Sequence, residues 1–288
     1  MKGILLAAGS GTRLSPATFP VSKILLPIYD RPMVYYPLST LMMAGVDHVL
    51  VITNEFDLDN FKRTLGDGSQ FGIKIEYAIQ YVQRGIADAF IIAEDWIAGE
   101  KVVLILGDNI FYGDNLESLY SKAASMDSGA VIFGIPVPDP ERFGVIGFDD
   151  KGNVTSLEEK PEHPKSDYAS VGLYFYDSKV CSIAKEIKPS KRGELEITDV
   201  NSRYLENDDL SALFFDDETE WIDAGTFDSL LESSNLIARK EKELGRKILC
   251  PELVAYKKGF ITKEKLSEWI AKNKKNEYYE MIMKEIVL

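Results

Sequence analysis

Residues 2–16 read KGILLAAGSGTRLSP, and the fold depends on where this passage changes character. KGILLA is a short apolar run suited to a strand buried on both faces. Gly9, Ser10, Gly11 and Thr12 cannot continue it. They make a loop of small side chains, in which glycine admits positive φ and lets backbone N–H groups approach a ligand closely. Such a loop can present several donors to a phosphate. Arg13 adds a cation with a planar fork of donors. The passage lacks the lysine of a G-x-x-x-x-G-K-[ST] loop, and Leu14 stands where G-x-G-x-x-G needs its third glycine.

Outward from the loop, strand-like and helical stretches alternate. MVYYPLSTLMMAG (33–45) reads as a helix stopped by Gly45, HVLVIT (48–53) as a strand, LDNFKRTLG (58–66) as a short helix and IKIEYAIQ (73–80) as a strand. IADAFIIAEDWI (86–97) predicts one amphipathic helix, and KVVLILGDN (101–109) a buried strand entering a polar turn. Asp114 and Glu117 resemble a capping box opening LESLYSKAAS (116–125), and GAVIFGIPV (129–137) is another strand. This alternation predicts an α/β fold with a doubly wound, mostly parallel central sheet.

From about residue 140 the pattern is mixed α+β. GVIGFDDKGNVTSLEEK (144–160) carries Asp-Lys-Gly-Asn between two strand-like runs, a hairpin signal. A strand at 169–177, helices at 178–187 and 195–207 and a strand at 210–216 come next. From residue 226 the chain is helical, with two further helical stretches from 262 to the end. The reading is one domain over 1–240, with halves at about 1–137 and 138–225, and a helical appendage over 241–288.

The 288 residues carry a net charge of −13, so the chain has no basic footprint for nucleic acid. Any anionic substrate needs a local cluster of cations and backbone donors. Two cysteines and two histidines, Cys181, Cys250, His48 and His163, lie in no metal or nucleophile spacing. The N-terminus has no signal-peptide pattern and no apolar run reaches membrane-spanning length, so a cytoplasmic location without membrane contact is expected.

Four places carry candidate chemistry. Lys23 in FPVSKILLPI lies ten residues beyond the glycine loop, between two prolines and within reach of a phosphate chain. Asp108 in LILGDNIFYG lies just past the carboxyl end of a buried strand, where open α/β sheets bind ligands and a carboxylate suits Mg²⁺. Glu159 and Lys160 in SLEEKP offer an acceptor for sugar hydroxyls and a cation for a phosphate. Asp223 in EWIDAGT is a second carboxylate that can complete a Mg²⁺ site with Asp108.

Together with AAGSGTRLSP, LGDGSQFG, RGIADAF, DPERFGVIGFD, RGELEITDVN, WIDAGTFDSLLESSNLI and CPELVAYKKGFI, these runs give a chain that resembles the glucose-1-phosphate thymidylyltransferases, the short homotetrameric class of sugar nucleotidyltransferases. The resemblance covers essentially the whole chain. It implies a Rossmann-like nucleotidyltransferase fold and transfer of a thymidylyl group from dTTP to glucose 1-phosphate. The sugar phosphate is already an anion, so alignment and charge neutralisation carry the reaction rather than a strong base. The resemblance assigns the nucleotide and its phosphates to Ala8, Gly9, Ser10, Gly11 and Thr12. It gives the phosphates to Arg13 and Lys23, Mg²⁺ to Asp108 and Asp223, and the sugar phosphate to Lys160. Gln80 and Gly85 are expected at the pyrimidine, Asn109 beside the metal ligand at the substrate, and Gly144, Glu159 and the backbone of Val171 at the glucose hydroxyls. A homotetramer is expected.

Departures from the family pattern are Ala8 for glycine, Ile24 for a glutamine near the nucleotide, and Asp114, Leu253 and Lys257 for histidine, glutamate and arginine at an inhibitory site. Ile24 keeps UTP, or another sugar 1-phosphate, as a rival reading, and the last three weaken the expectation of end-product feedback. A non-catalytic regulatory subunit would have lost Arg13, Lys23, Asp108 or Asp223, and all four are present. A dinucleotide-binding oxidoreductase would need the glycine that Leu14 replaces.

Overall fold

The computed structural model describes residues 1–273 and 276–287. Its elements in chain order are β1 (Lys2–Leu6), β2 (Pro27–Ile28), β3 (Arg31–Pro32), α1 (Tyr35–Met43), β4 (His48–Thr53), α2 (Leu58–Leu65), β5 (Lys74–Ile79), α3 (Asp88–Ile92), α4 (Glu94–Ile97), β6 (Val102–Leu106), β7 (Asn109–Tyr112), α5 (Leu116–Ala124) and β8 (Ala130–Pro136). The second half comprises β9 (Gly144–Phe148), β10 (Val154–Glu159), β11 (Tyr168–Tyr176), α6 (Val180–Glu186), α7 (Ile197–Glu206), β12 (Leu210–Phe214), β13 (Glu220–Asp223), α8 (Phe227–Leu244), α9 (Pro251–Lys257), α10 (Lys263–Asn273) and α11 (Glu277–Val287).

Beta-1 sits between β4 and β6, parallel to both, and β4 is parallel to β5. The inner strands β1, β4 and β6 are mostly apolar because both faces are covered, whereas the edge strand β5 carries Lys74 and Glu76. Ile4, Leu50, Ile52, Val102 and Leu104 point into one core with Phe90, Val180 and Tyr204. Leu5, Val49, Val51, Val103 and Ile105 point into the other with Tyr36, Phe61 and Tyr120. The period of two in side-chain direction therefore feeds two cores from one sheet.

The second half extends the sheet antiparallel. Beta-11 pairs with β6 through Leu173–Tyr176 and with β9 through Ala169 and Ser170, changing partner between them. Beta-9 and β10 form the expected hairpin. Beta-8 joins β11 antiparallel and takes β12 on its far side in parallel. The helical C-terminus contributes Leu253, Val254, Leu266, Ile270, Tyr278 and Ile282 to the same core as α1.

Some local expectations need correction. Residues 86–97 form two short helices that break at Ala93, not one. Asp114 does not cap α5; Asn115 precedes it and no side chain accepts from its first turn. Strands β7 and β13 pair antiparallel as a ribbon outside the main sheet, and α9 starts after Cys250 with proline in its first turn. Neither the ribbon nor α9 was anticipated.

Candidate active site

The glycine loop leaves β1 with Ala7 N–H still on Ile52 O (2.8 Å), then turns outward. Ala8 is buried, while Gly9, Ser10 and Thr12 are exposed. Gly11 has φ 61°, and a Cβ there would stand 3.0 Å from Thr18 Cγ2, so the turn requires glycine. Thr18 Oγ1 donates to Gly11 O at 2.9 Å, and Gln83 Nε2 to Ala8 O at 2.8 Å. Both contacts use carbonyls. The N–H groups of Gly9, Ser10, Gly11 and Thr12 keep no protein acceptor among the described residues.

Beyond β6 the chain passes Gly107, packed on Leu6 O and Ile24, to Asp108. Ile24 is buried in the core, packed on Gly107 next to Asp108. The β7–β13 ribbon sets Asp223 opposite Asn109, and Ala224 N–H donates to Asp108 O at 2.9 Å. Two carboxylates 115 positions apart in sequence thus flank one point at the strand ends. Lys23 reaches the same point, where its ammonium pairs with Asp108 Oδ2. Gly225 leaves room for Arg13: a Cβ there would stand 2.8 Å from Arg13 Nη2 and 3.0 Å from Asp223 Oδ1.

The two acids are held in different states. Burial would raise Asp108, but Lys23 and the amide of Asn109 overcome it and keep the carboxyl below its usual range. Burial and the charge of Asp108 push Asp223 up to about 6, against the pull of Lys23, Arg13 and Arg142. Asn109, expected at the substrate, is buried. Its Oδ1 accepts Gly172 N–H (3.0 Å) and the Trp221 indole (2.8 Å), and its Nδ2 donates to Asp108 Oδ1 (3.1 Å). It orients the carboxylate, and one proton of its NH₂ keeps no protein acceptor among the described residues.

A cavity of about 610 Å³ runs from Arg13 and Asp223 to Gly144, Glu159 and Lys160. Gly144 keeps its floor clear, since a Cβ there would stand 3.4 Å from Glu159 Oε2. Glu159 accepts from Thr198 Oγ1 at 2.6 Å. Lys160 ends β10 with φ 47°, a conformation unfavourable for a lysine, and its N–H bonds Phe143 O at 2.9 Å. Val171 is wholly buried, next to Ser170, which lines the cavity. Gln80 and Gly85 lie outside the cavity wall, at the end of β5; a Cβ on Gly85 would strike Leu195 O at 2.5 Å.

Arg142 and Arg192 also line the cavity, and neither was singled out from sequence. Arg192 bonds both oxygens of Glu196 (3.0 and 2.8 Å) and reaches Glu159. Trp221 sits edge-on to Phe143, 5.2 Å between centroids. The runs DPERFG and RGELEIT held the arginines, but single cations in loops have no spacing that distinguishes them.

A match to the nucleotidyl transferase family model covers residues 2–240. The chain belongs to the nucleotidyl transferase family. This nucleotidyl transferase is 48% identical over 284 residues to the glucose-1-phosphate thymidylyltransferase of Neisseria meningitidis serogroup A, which covers 99% of both chains. It is 50% identical over 267 residues to that of Mycolicibacterium smegmatis, covering 93% of this chain and 92% of the relative. Among solved structures, a Bacillus anthracis protein named for the same activity, in complex with sucrose, has a TM-score of 0.76 at 41% identity, covering 82% of this chain and 94% of that one. A UDP-glucose pyrophosphorylase complexed with UDP-glucose has a TM-score of 0.72 at 25% identity, covering 83% of this chain and 98% of that one. No helix among the described residues is long and apolar enough to cross a membrane.

Proposed function

We propose that this nucleotidyl transferase moves the thymidylyl group of dTTP to glucose 1-phosphate and releases pyrophosphate. The site carries the reading: the free N–H groups of residues 9–12 lead into Arg13 at one end of the cavity, and Lys160 and Arg192 with the acceptor Glu159 stand at the other. That is a fit for two phosphate-bearing ligands meeting end to end. The thymidylyltransferase relatives at 48% and 50% identity support the choice of substrates.

In this reading the N–H groups of residues 9–12 cradle the triphosphate and Arg13 neutralises the pyrophosphate that leaves. Lys160 and Arg192 hold the sugar phosphate so that its oxygen faces the α-phosphorus. The P–O bond to the β-phosphate breaks as the new P–O bond forms, and no proton has to be removed from the nucleophile. Glu159 and the backbone around Val171 take sugar hydroxyls.

The chain's donor set suits a divalent cation. Mg²⁺ is commonly held by one or two carboxylates, with substrate phosphates and water completing its shell. Asp108 and Asp223 offer that pair; burial first and the charge of Asp108 second raise Asp223, and a cation between the two would offset both. These residues would hold Mg²⁺, which neutralises phosphate charge when bound. A cytoplasmic location fits a nucleoside triphosphate substrate. Assembly as a homotetramer belongs to the same reading, supported by the exposure of Tyr29, Phe227 and Leu231.

The test is pyrophosphate release from glucose 1-phosphate with Mg²⁺ and dTTP, UTP, ATP or GTP in parallel. Fastest release with dTTP is expected; preference for another nucleotide would overturn the substrate assignment.

A further inference from the structure

Residues 80–87 join the glycine loop to the cavity wall, since Gln83 holds Ala8 O and Ile86 lines the cavity. Gln80 opens this segment at the carboxyl end of β5, where its N–H continues the ladder to Thr53 O (2.8 Å). A nucleoside whose phosphates lie on residues 9–12 brings its base to this lip, outside the strand ends.

The Gln80 carboxamide is not free to choose its face. Asp88 is 1% exposed; its Oδ1 accepts Arg84 Nη2 at 2.7 Å and its Oδ2 accepts Gln80 Nε2 at 2.9 Å. An ion-paired carboxylate can only accept, so the amide nitrogen must face it. The second amide proton points to Gly85 O at 3.4 Å. Among the described residues nothing donates to Gln80 Oε1, which reaches solvent. Gln80 therefore meets a ligand as an acceptor only.

We propose that Asp88 sets base selectivity as a positioning residue, by locking Gln80 as an acceptor for the imide N–H of thymine or uracil. The inference rests on the thymidylyl-transfer reading. Cytosine has an unprotonated ring nitrogen in place of that imide, and would oppose acceptor to acceptor. Arg84 decides how the pair rearranges once the charge is lost. In D88N, the oxygen of the new carboxamide stays on the guanidinium, which only donates. Its NH₂ then turns to Gln80, and Gln80 turns over to present its own NH₂ to the base.

The experiment compares kcat/KM for dTTP and dCTP in the full chain, with the KM for glucose 1-phosphate and the melting temperature measured alongside. D88N is expected to lower the dTTP:dCTP ratio at least about tenfold, with the sugar-phosphate KM unchanged. Q80E/D88N keeps the net charge and restores an acceptor facing the base, so it recovers the ratio. R84A leaves the carboxylate on Gln80 and preserves it. Equal losses with both nucleotides in D88N, no recovery in Q80E/D88N, or a lost ratio in R84A would each overturn the proposal. Should D88N melt too low to assay, Q80E/D88N and R84A decide alone. A wild type that does not use dTTP refutes the thymidylyl-transfer reading itself, whereas dTTP preference with an unmoved ratio refutes only the role of Asp88.

Discussion

Asp223 shows how much of the site is charge held under tension. A carboxyl whose value is raised in the fold binds its proton more tightly there than in the unfolded chain. Its stabilising contribution is therefore present at acid pH and is lost as pH rises through about 4 to about 6. In chelator, the wild type should lose stability relative to Asp223→Asn between pH 4.5 and 7.5, by on the order of 2–3 kcal/mol. Thermal denaturation of both proteins across that range checks it, and added Mg²⁺ should close the gap for the wild type only. Parallel curves would refute the raised value. Asp108→Asn should instead lower turnover by at least about 100-fold without loss of fold, because it removes the partner of Lys23 and one of the two carboxylates that would hold Mg²⁺. Asp108 and Asp223 were both singled out in sequence, one past the end of a strand and the other before the glycine turn at Gly225, and the fold brings them together. The partners of Asn109 were not legible, because Trp221 and Gly172 lie more than sixty positions away.

At the scale of elements, the ribbon of β7 and β13 is what brings the two carboxylates together. Each strand is only four residues long, too short for a periodic pattern to stand out. Alpha-9 escaped notice for the same reason, and the break at Ala93 because a helical pattern can outlast the helix. Where strands were long and apolar, as in β1, β4 and β6, their bounds were readable to within a residue or two. Gly225 connects the ribbon to α8 and leaves space for Arg13. Gly225→Ala should displace Arg13 and reduce turnover roughly 10- to 100-fold, with the melting temperature nearly unchanged. The kinetics and a melting curve of one preparation test this; a large melting shift would mean that the backbone had moved instead. Just beyond, Thr226 Oγ1 caps α8 by accepting Ser229 N–H at 3.2 Å, and Ser229 Oγ accepts Thr226 N–H in return. Thr226→Ala should cost about 1 kcal/mol of stability, read from urea unfolding.

For the whole molecule, the C-terminal helices are more than an appendage in energetic terms. They seat Leu253, Leu266, Tyr278 and Ile282 in the core beneath α1. Arg31, 3% exposed, lies among Glu241, Ile248 O and the Tyr36 and Tyr278 rings. Ending the chain at Gly245 would leave that cation beside an open core. The truncated protein should fail to give a cooperative melting transition, whereas an intact transition would show the helices to be dispensable for folding. The acidic total of −13 was visible in composition, and Arg13, Lys23 and Lys160 were singled out against it, but the addition of Arg142 and Arg192 to the same cleft was not legible, because each is a single cation in a separate loop. The ribbon has a practical corollary. Asp108 lies before and Asp223 after the exposed turn 149–153 that links β9 to β10, so a break in that turn puts one carboxylate on each fragment. Neither fragment can turn over substrate alone, and pyrophosphate would appear only when both are joined. The protein is thus a natural split reporter, whose signal would measure the reassociation of any two partners fused to its halves.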